Sequence, residues 1–347
     1  MKSTYIVNNF EDIPFSNEIK DKIPVFALPG YAKFLEYQKG YKTIWFIKQL
    51  NSKSFLIIPF VYWKKFFVTK GMFLTSVINI NVKESLEKES VFIDEVIKKI
   101  KEKQLCHWIQ QPPNWAIFNY IPEDSVYCKF GTYRIYLQDI DNEEELLQSF
   151  QSKNRQYIRK AIREGIEIKK GKNYLTDAIN LINKTANDAN LEVLKKQEID
   201  KLIQLLDEKH VSVYVSYMDS IPQTSLISFS SRYAKYTIYA GAIDKPHKGA
   251  NPYLYFVAIK DALIDKTIFF DFVGARINPD KETKQYGIQK FKSHFGTNLI
   301  EGYLWKLVIN KSRYYIYTKA VKLYYALTSR DFNGDIIDQE NKKENYE

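Results

Sequence analysis

Hydrophobic positions in the first third of the chain fall in short, dense runs rather than at helical spacing. KTIWFIKQL at residues 42–50 and SFLIIPFVY at residues 54–62 are rich in β-branched and aromatic side chains. The Asn51-Ser52-Lys53 break between them has turn chemistry, so the pair predicts a β-hairpin. Upstream, residues 28–38 fit a short helix with Pro29 near its start. Downstream, Val91-Phe92, Val96-Ile97 and Ile100 recur at helical steps, which predicts a helix over 83–103. A strand near 105–110, a Pro112-Pro113 break and a strand near 125–130 complete this part.

The pattern then repeats in kind. Residues 132–138 read as a strand, and 142–164 as a charged helix. Residues 175–189 and 196–209 read as further helices. Three strands follow at 211–218, 224–231 and 235–243, then an apolar helix at 252–265 and a strand at 267–273. A short helix over 284–294, a strand over 303–310 and a helix over 312–327 close the series. No stretch of sequence repeats, yet the order of elements is duplicated. Strand meanders feeding helices and further strands imply an α/β chain built on mixed sheets with helices on their faces. The boundary falls near 129–132, giving domains 1–130 and 131–330.

Composition narrows the classes. The chain has 347 residues, with 51 Lys and Arg against 41 Asp and Glu, for a net charge of +10. An aromatic content of 15% excludes disorder as the main state, and two cysteines exclude a disulfide scaffold. Residues 331–347 carry six acids and two lysines, so they read as a loose acidic tail on a body of net +14. The N-terminus lacks a signal-peptide pattern and no run reaches 18 apolar residues, so a cytoplasmic protein without a transmembrane segment is expected. Cys106 and His107 are neighbours, which on a strand point to opposite faces, so they do not form a catalytic pair. The four histidines are scattered, and no metal site is expected.

Three stretches carry chemistry. In QSKNRQYIRKAIREG, Lys153, Arg155, Arg159, Lys160 and Arg163 are basic, and Arg155, Arg159 and Arg163 share a helical face. Such a face suits phosphate, for which arginine offers a planar fork of donors, or it is paired by local acids. In IFFDFVGAR, Asp271 interrupts a buried run and is followed by Gly274 and Arg276. An acid there is costly unless hydrogen-bonded, and the end of a strand is where α/β sheets bind ligands. Asp271 is either a structural loop cap or a base or orienting carboxylate. In YGIQKFKSHFG, Lys290 and Lys292 flank Phe291. They are either surface lysines or a means of stabilising an anionic oxygen. Phosphate-loop, nucleophile-elbow and kinase signatures are absent.

Read together, SKNRQYIRKAIREG at 152–165, LYFVAIKDA at 254–262, FDFVG at 270–274 and YGIQKFKSHFG at 286–296 resemble the FemAB-type branch of the GNAT acyltransferase superfamily. The resemblance is concentrated in residues 132–310. It implies two tandem GNAT-like domains, each a mixed, mostly antiparallel sheet flanked by helices. It implies direct transfer of an acyl or aminoacyl group to an amine or hydroxyl of a cell-envelope saccharide or peptidoglycan precursor. The donor would be acyl-CoA or aminoacyl-tRNA as cosubstrate, with no tightly bound cofactor.

By the same resemblance, Phe291 and Lys292 are catalytic candidates, with Asp271 beside them. Lys153, Arg155, Arg159, Tyr255, Arg276 and Lys248 are substrate-binding candidates, Lys248 lying in the basic KPHKGAN stretch that precedes a helix. Expected partners are a phosphorylated or lipid-linked acceptor, tRNA, and the inner membrane face as a peripheral contact. Two features depart from the family pattern. No helical arm fits at 171–173, and Tyr31 is followed four residues on by Leu35 rather than lysine. An RNA-binding module using the basic helix, or a non-catalytic scaffold, are the alternatives.

Overall fold

The computed structural model describes residues 3–14, 16–83, 85–327 and 334–344. The chain divides into two compact units. One comprises Met1–Lys20, Leu35–Gly131 and Glu301–Glu347, the other Asp21–Phe34 and Thr132–Ile300. The division at 131/132 lies where the element order turns over. The assignment of the last strand and helix to the second domain needs correction, because residues from Glu301 onward pack in the first unit. Residues 21–34 make the opposite exchange.

In the first unit, Lys42–Gln49 and Phe55–Lys65 form the expected hairpin, with Trp45 opposite Pro59. Val68–Phe73 extends it as a third antiparallel strand, and Trp108–Ile109 pairs parallel to that strand. The Leu86–Glu102 helix begins at Ser85, whose hydroxyl accepts from Lys88 N–H, a satisfied N-cap. Phe92, Ile93, Val96, Ile97 and Ile100 all face inward against Phe46, Phe60, Phe73 and Trp305. Each fully buried side chain of that size stabilises by about 1.5–3 kcal/mol.

The acidic segment expected to be loose is instead ordered through most of its length. Ile336–Glu344 is a helix, and Ile337 is fully buried beside Ile117, Cys128, Phe130 and Leu304. Lys306 is buried and pairs with Asp335 at 2.9 Å and Asp338 at 2.5 Å. The acids are therefore counter-ions for an interior lysine, a role that average composition conceals. Residues 331–333 and 345–347 of that segment lie outside the described residues.

In the second unit the strand order is Val126–Tyr136 (from Thr132), Phe269–Asp271, Ala234–Ala242, Ile221–Ser230, Val211–Met218, Glu167–Lys170. All neighbours are antiparallel except Ala234–Ala242 with Phe269–Asp271. Helices cover both faces. The Ser225 hydroxyl donates to Ala178 O of the Leu175–Asp188 helix, whereas adjacent Leu226 packs with Leu254 and Ala258 of the Ala250–Ile264 helix. Neighbouring strand residues point to opposite faces. The helix expected over 142–164 is two, Glu143–Ser149 and Ser152–Arg163, because Phe150 turns extended to bury its ring. Likewise the strands expected at 125–130 and 132–138 are one, Val126–Tyr136.

Lys235, 1% exposed, lies inside this unit. Its amine donates to Tyr214 Oη at 2.8 Å, and that hydroxyl donates to Asp261, which also holds Lys170. Burial pushes the Lys235 amine down to about 8, with Asp261 opposing the shift. Between pH 8 and 10.5 the unfolded chain holds a proton that the folded chain has released. The contribution of Lys235 to stability therefore rises with pH across that window. In Lys235→Met the rise should shrink by about 3 kcal/mol, measured by urea unfolding at the two ends of the window.

Candidate active site

The site is built from the end of the Phe269–Asp271 strand. Asp271 is fully buried and both its oxygens are engaged. Thr132 Oγ1 donates at 2.5 Å and Val273 N–H at 2.7 Å to Oδ1, while Arg134 Nε donates at 2.7 Å to Oδ2. Asp271 stands directly across the antiparallel pair from Arg134, so register delivers the ion pair. Arg134 also lies over the Phe269 ring at 4.4 Å. Its guanidinium is held firmly protonated, the attraction of Asp271 outweighing its own burial. The expectation of Asp271 as a base thus meets an enclosed carboxylate that anchors the following turn.

That turn runs through Val273 and Gly274, at φ +49° and +73°. A β-branched residue is strained in the left-handed region. The conformation aims two successive carbonyls at one point, and the Lys292 amine donates to both, at 2.6 Å each. Lys292 sits near the end of the Lys284–Ser293 helix, whose N-cap is Thr283. Burial lowers its pKa to about 8, partly offset by the Asp271 charge. Val273, Gly274 and Lys292 are each half-buried, so the cluster reaches the surface of the unit. An ammonium bonded to two carbonyls keeps a third N–H for another acceptor.

Phe291 and Tyr255 hold the helix through an aromatic cluster. Phe291 meets Tyr255 edge-on at 5.2 Å and Phe295 at 5.0 Å, and Tyr255 stacks on Phe272 at 5.4 Å. Burial pushes the Tyr255 hydroxyl upward, out of reach of ionisation near neutrality.

Lys290 and Lys292, adjacent in the sequence reading, part company on the helix, because two residues turn it by about 200°. Lys290 lines a cavity of about 620 Å³ together with Arg276, Lys281, His294, Tyr133 and Gln289. The lining contains no carboxylate. Gln289 Nε2 donates to Arg276 O at 2.7 Å and ties the helix to the Ala275–Arg276 strand. Burial, helped by the charges of Lys290 and Lys153, depresses the pKa of His294. The site therefore has a lysine clamp and an anion-seeking cavity on different faces of one helix.

The other basic candidates lie apart from the clamp. Arg155 Nη1 donates to Gln148 O at 3.0 Å and to Phe150 O, bracing the break between two helices. Arg159 and Lys153 are exposed, Lys153 over the Tyr157 ring. Lys248 is exposed beside the Ala250–Ile264 helix, where two N–H groups at the helix start are already engaged. Gly249 N–H donates to His247 Nδ1 at 3.2 Å and Ala250 N–H to His247 O at 2.9 Å. A Cβ on Gly249 would lie 2.4 Å from Tyr157 O, so the helix end is closely packed. Thr132, Arg134, Lys281 and the Val273 carbonyl escaped the sequence reading. The one available signal was an arginine inside a strand, which needs an acid opposite it. Among the described residues no group of three or more His, Cys, Asp or Glu side chains could hold a metal ion.

No family model matches the sequence. Two lipid II:glycine glycyltransferases are similar to parts of it. The one from Staphylococcus haemolyticus is 28% identical over 165 residues, which is 48% of this chain and 34% of the relative. The one from Staphylococcus saprophyticus is 28% identical over 116 residues, 33% of this chain and 26% of the relative. The matches thus span about a quarter to a third of those relatives. The crystal structure of FemX shares the fold, with a TM-score of 0.69 at 14% identity, covering 91% of this chain and 99% of FemX. Mixed, mostly antiparallel sheets with helices on their faces make this an α/β protein with the fold seen in FemX. Within that class the chain is similar to proteins of the FemAB-type branch.

Proposed function

We propose that the protein is an aminoacyltransferase that moves an amino acid from aminoacyl-tRNA to an amine of a lipid-linked cell-wall precursor. The observation that carries this reading is the Lys292 amine, half-buried and held by the carbonyls of Val273 and Gly274. In the proposed step the acceptor amine attacks the ester carbon, forming a C–N bond and a tetrahedral oxyanion. The C–O bond to the tRNA ribose then breaks, and the proton lost by the amine passes to the departing ribose oxygen. The third Lys292 N–H faces the oxyanion, where a preorganised donor acts most strongly. Phe291 and Asp271 are positioning residues, one fixing the helix and the other the turn.

One observation favours tRNA over acyl-CoA. Two of the N–H groups opening the Ala250–Ile264 helix, where a pyrophosphate could be cradled, are taken by His247. The cavity lined by Lys281 and Lys290 suits a phosphate-bearing ligand of any of these kinds, donor or acceptor. The relatives' names supply lipid II as the acceptor to try.

Incubation with radiolabelled aminoacyl-tRNA and lipid II should give labelled lipid product, and labelled acetyl-CoA should not. Transfer from acetyl-CoA alone would overturn the donor, and no transfer from a full panel of either donor would overturn the activity. Charge reversal at the cavity, Arg276→Glu with Lys290→Glu, should raise KM for the phosphate-bearing substrate about tenfold or more while kcat changes less. Steady-state kinetics at two salt concentrations check this, since the wild-type KM should rise with salt and the variant's should not.

A further inference from the structure

In the first unit, the loop joining Phe55–Lys65 to Val68–Phe73 is two residues long, Phe66 and Phe67, with Lys65 opposite Val68. Phe66 takes φ +56°, a position that favours glycine in such a loop. Its ring is nevertheless 78% exposed, and Phe67 beside it is also exposed. A strained backbone under a large solvent-facing ring is hard to explain by folding alone. Lys64 and Lys65 flank the pair.

The Lys311–Leu327 helix lies next to this tip, since Arg313 Nη1 donates to Phe67 O at 2.8 Å. One face of the helix packs inward, Tyr317 against Val68 and Trp108 with Tyr314 and Val321 beside them. The opposite face exposes Tyr315, Ile316, Leu323 and Leu327, the last at 76%. Lys319 and Lys322 share that face by their helical spacing, and Lys311 and Arg313 stand at its start. No acid occurs between residues 311 and 327. The nearby acids Asp335 and Asp338 are engaged by Lys306.

We propose that the Phe66-Phe67 loop tip and the exposed face of the Lys311–Leu327 helix form a docking surface for an anionic lipid bilayer. Large apolar side chains interleaved with lysine and arginine are what an interfacial helix needs, the rings and aliphatic chains entering the headgroup boundary while the cations meet lipid phosphates. Charge complementarity selects this occupant. A second copy of the chain would set the six cations at 64, 65, 311, 313, 319 and 322 against six more. An RNA would meet the cations but would leave Ile316, Leu323 and Leu327 with nothing to enter. No helix of the described residues is long and apolar enough to cross a membrane, so the contact is peripheral. The proposal uses residues of the first unit alone and does not depend on the transfer reading.

The test is co-sedimentation of the full chain with vesicles of phosphatidylcholine alone or mixed equally with phosphatidylglycerol. The chain should pellet with the mixed vesicles and remain in solution with phosphatidylcholine. Phe66→Gly combined with Leu327→Ser should weaken binding about tenfold or more. Gly suits the loop backbone, so the thermal midpoint should not fall. Lys319→Glu with Lys322→Glu should abolish the preference for the anionic vesicles. Wild type that ignores phosphatidylglycerol, or variants that bind as wild type does, would overturn the proposal. So would the same variants abolishing a tRNA gel shift, or a dimer seen by sedimentation velocity, while vesicle binding is unchanged.

Discussion

Replacing Lys292 with alanine is expected to lower kcat for aminoacyl transfer by about 10²–10³, the effect of removing one oxyanion donor. The fold should survive, because the carbonyls of Val273 and Gly274 that lose their donor are half-exposed and can take water. KM should change little, since the interaction is made in the transition state. The protonated amine is the donor, and burial sets its pKa at about 8. The wild-type rate should therefore fall as pH rises through about 8, and the alanine variant should lack that limb. Transfer by Lys292→Ala at the wild-type rate would remove this lysine from the chemistry. A variant that lost activity yet kept the alkaline limb would show that another group titrates.

Removing the Asp271 carboxylate should have the largest effect on stability of any single change near the site. Three donors converge on it, from Thr132, Arg134 and Val273, and Arg134 is only 18% exposed. In Asp271→Ala the guanidinium is left charged in a poorly hydrated place, a situation that typically costs about 3–5 kcal/mol. Asp271→Asn keeps one carbonyl oxygen and should lose less. Urea unfolding of both variants, followed by far-UV circular dichroism, gives the comparison. Equal stability of wild type and Asp271→Ala would show that the enclosed ion pair does not hold the turn. Where Asp271→Asn remains folded, its transfer rate should still fall, because the turn presenting two carbonyls to Lys292 rests on Val273 N–H.

Much of this arrangement is legible in the residues themselves. The 42–62 hairpin follows from two dense β-branched runs around a three-residue turn. Asp271 stands out because an acid inside IFFDFV demands partners. What stays hidden is mostly a matter of distance along the chain. Arg134 and Asp271 are 137 positions apart and meet only through strand register. Lys290 and Lys292 look like a pair in one dimension, and the helical turn separates them. Arg155 reads as a phosphate ligand because its neighbours are basic, whereas the extended Phe150 puts two carbonyls within its reach. Ile337 is one apolar side chain among acids, and only the pocket at Ile117 and Leu304 gives it meaning.

The buried Lys235 has a consequence for chemical labelling. Near pH 8 about half of its amine is uncharged, the form that attacks acylating reagents. Yet it lies 1% exposed beneath the Ala250–Ile264 helix and cannot be reached while the sheet and helix stay together. Exposed lysines are open to the reagent at once. Lys235 reacts only when this region opens, so its modification rate works as a clock for the breathing of the second unit's core.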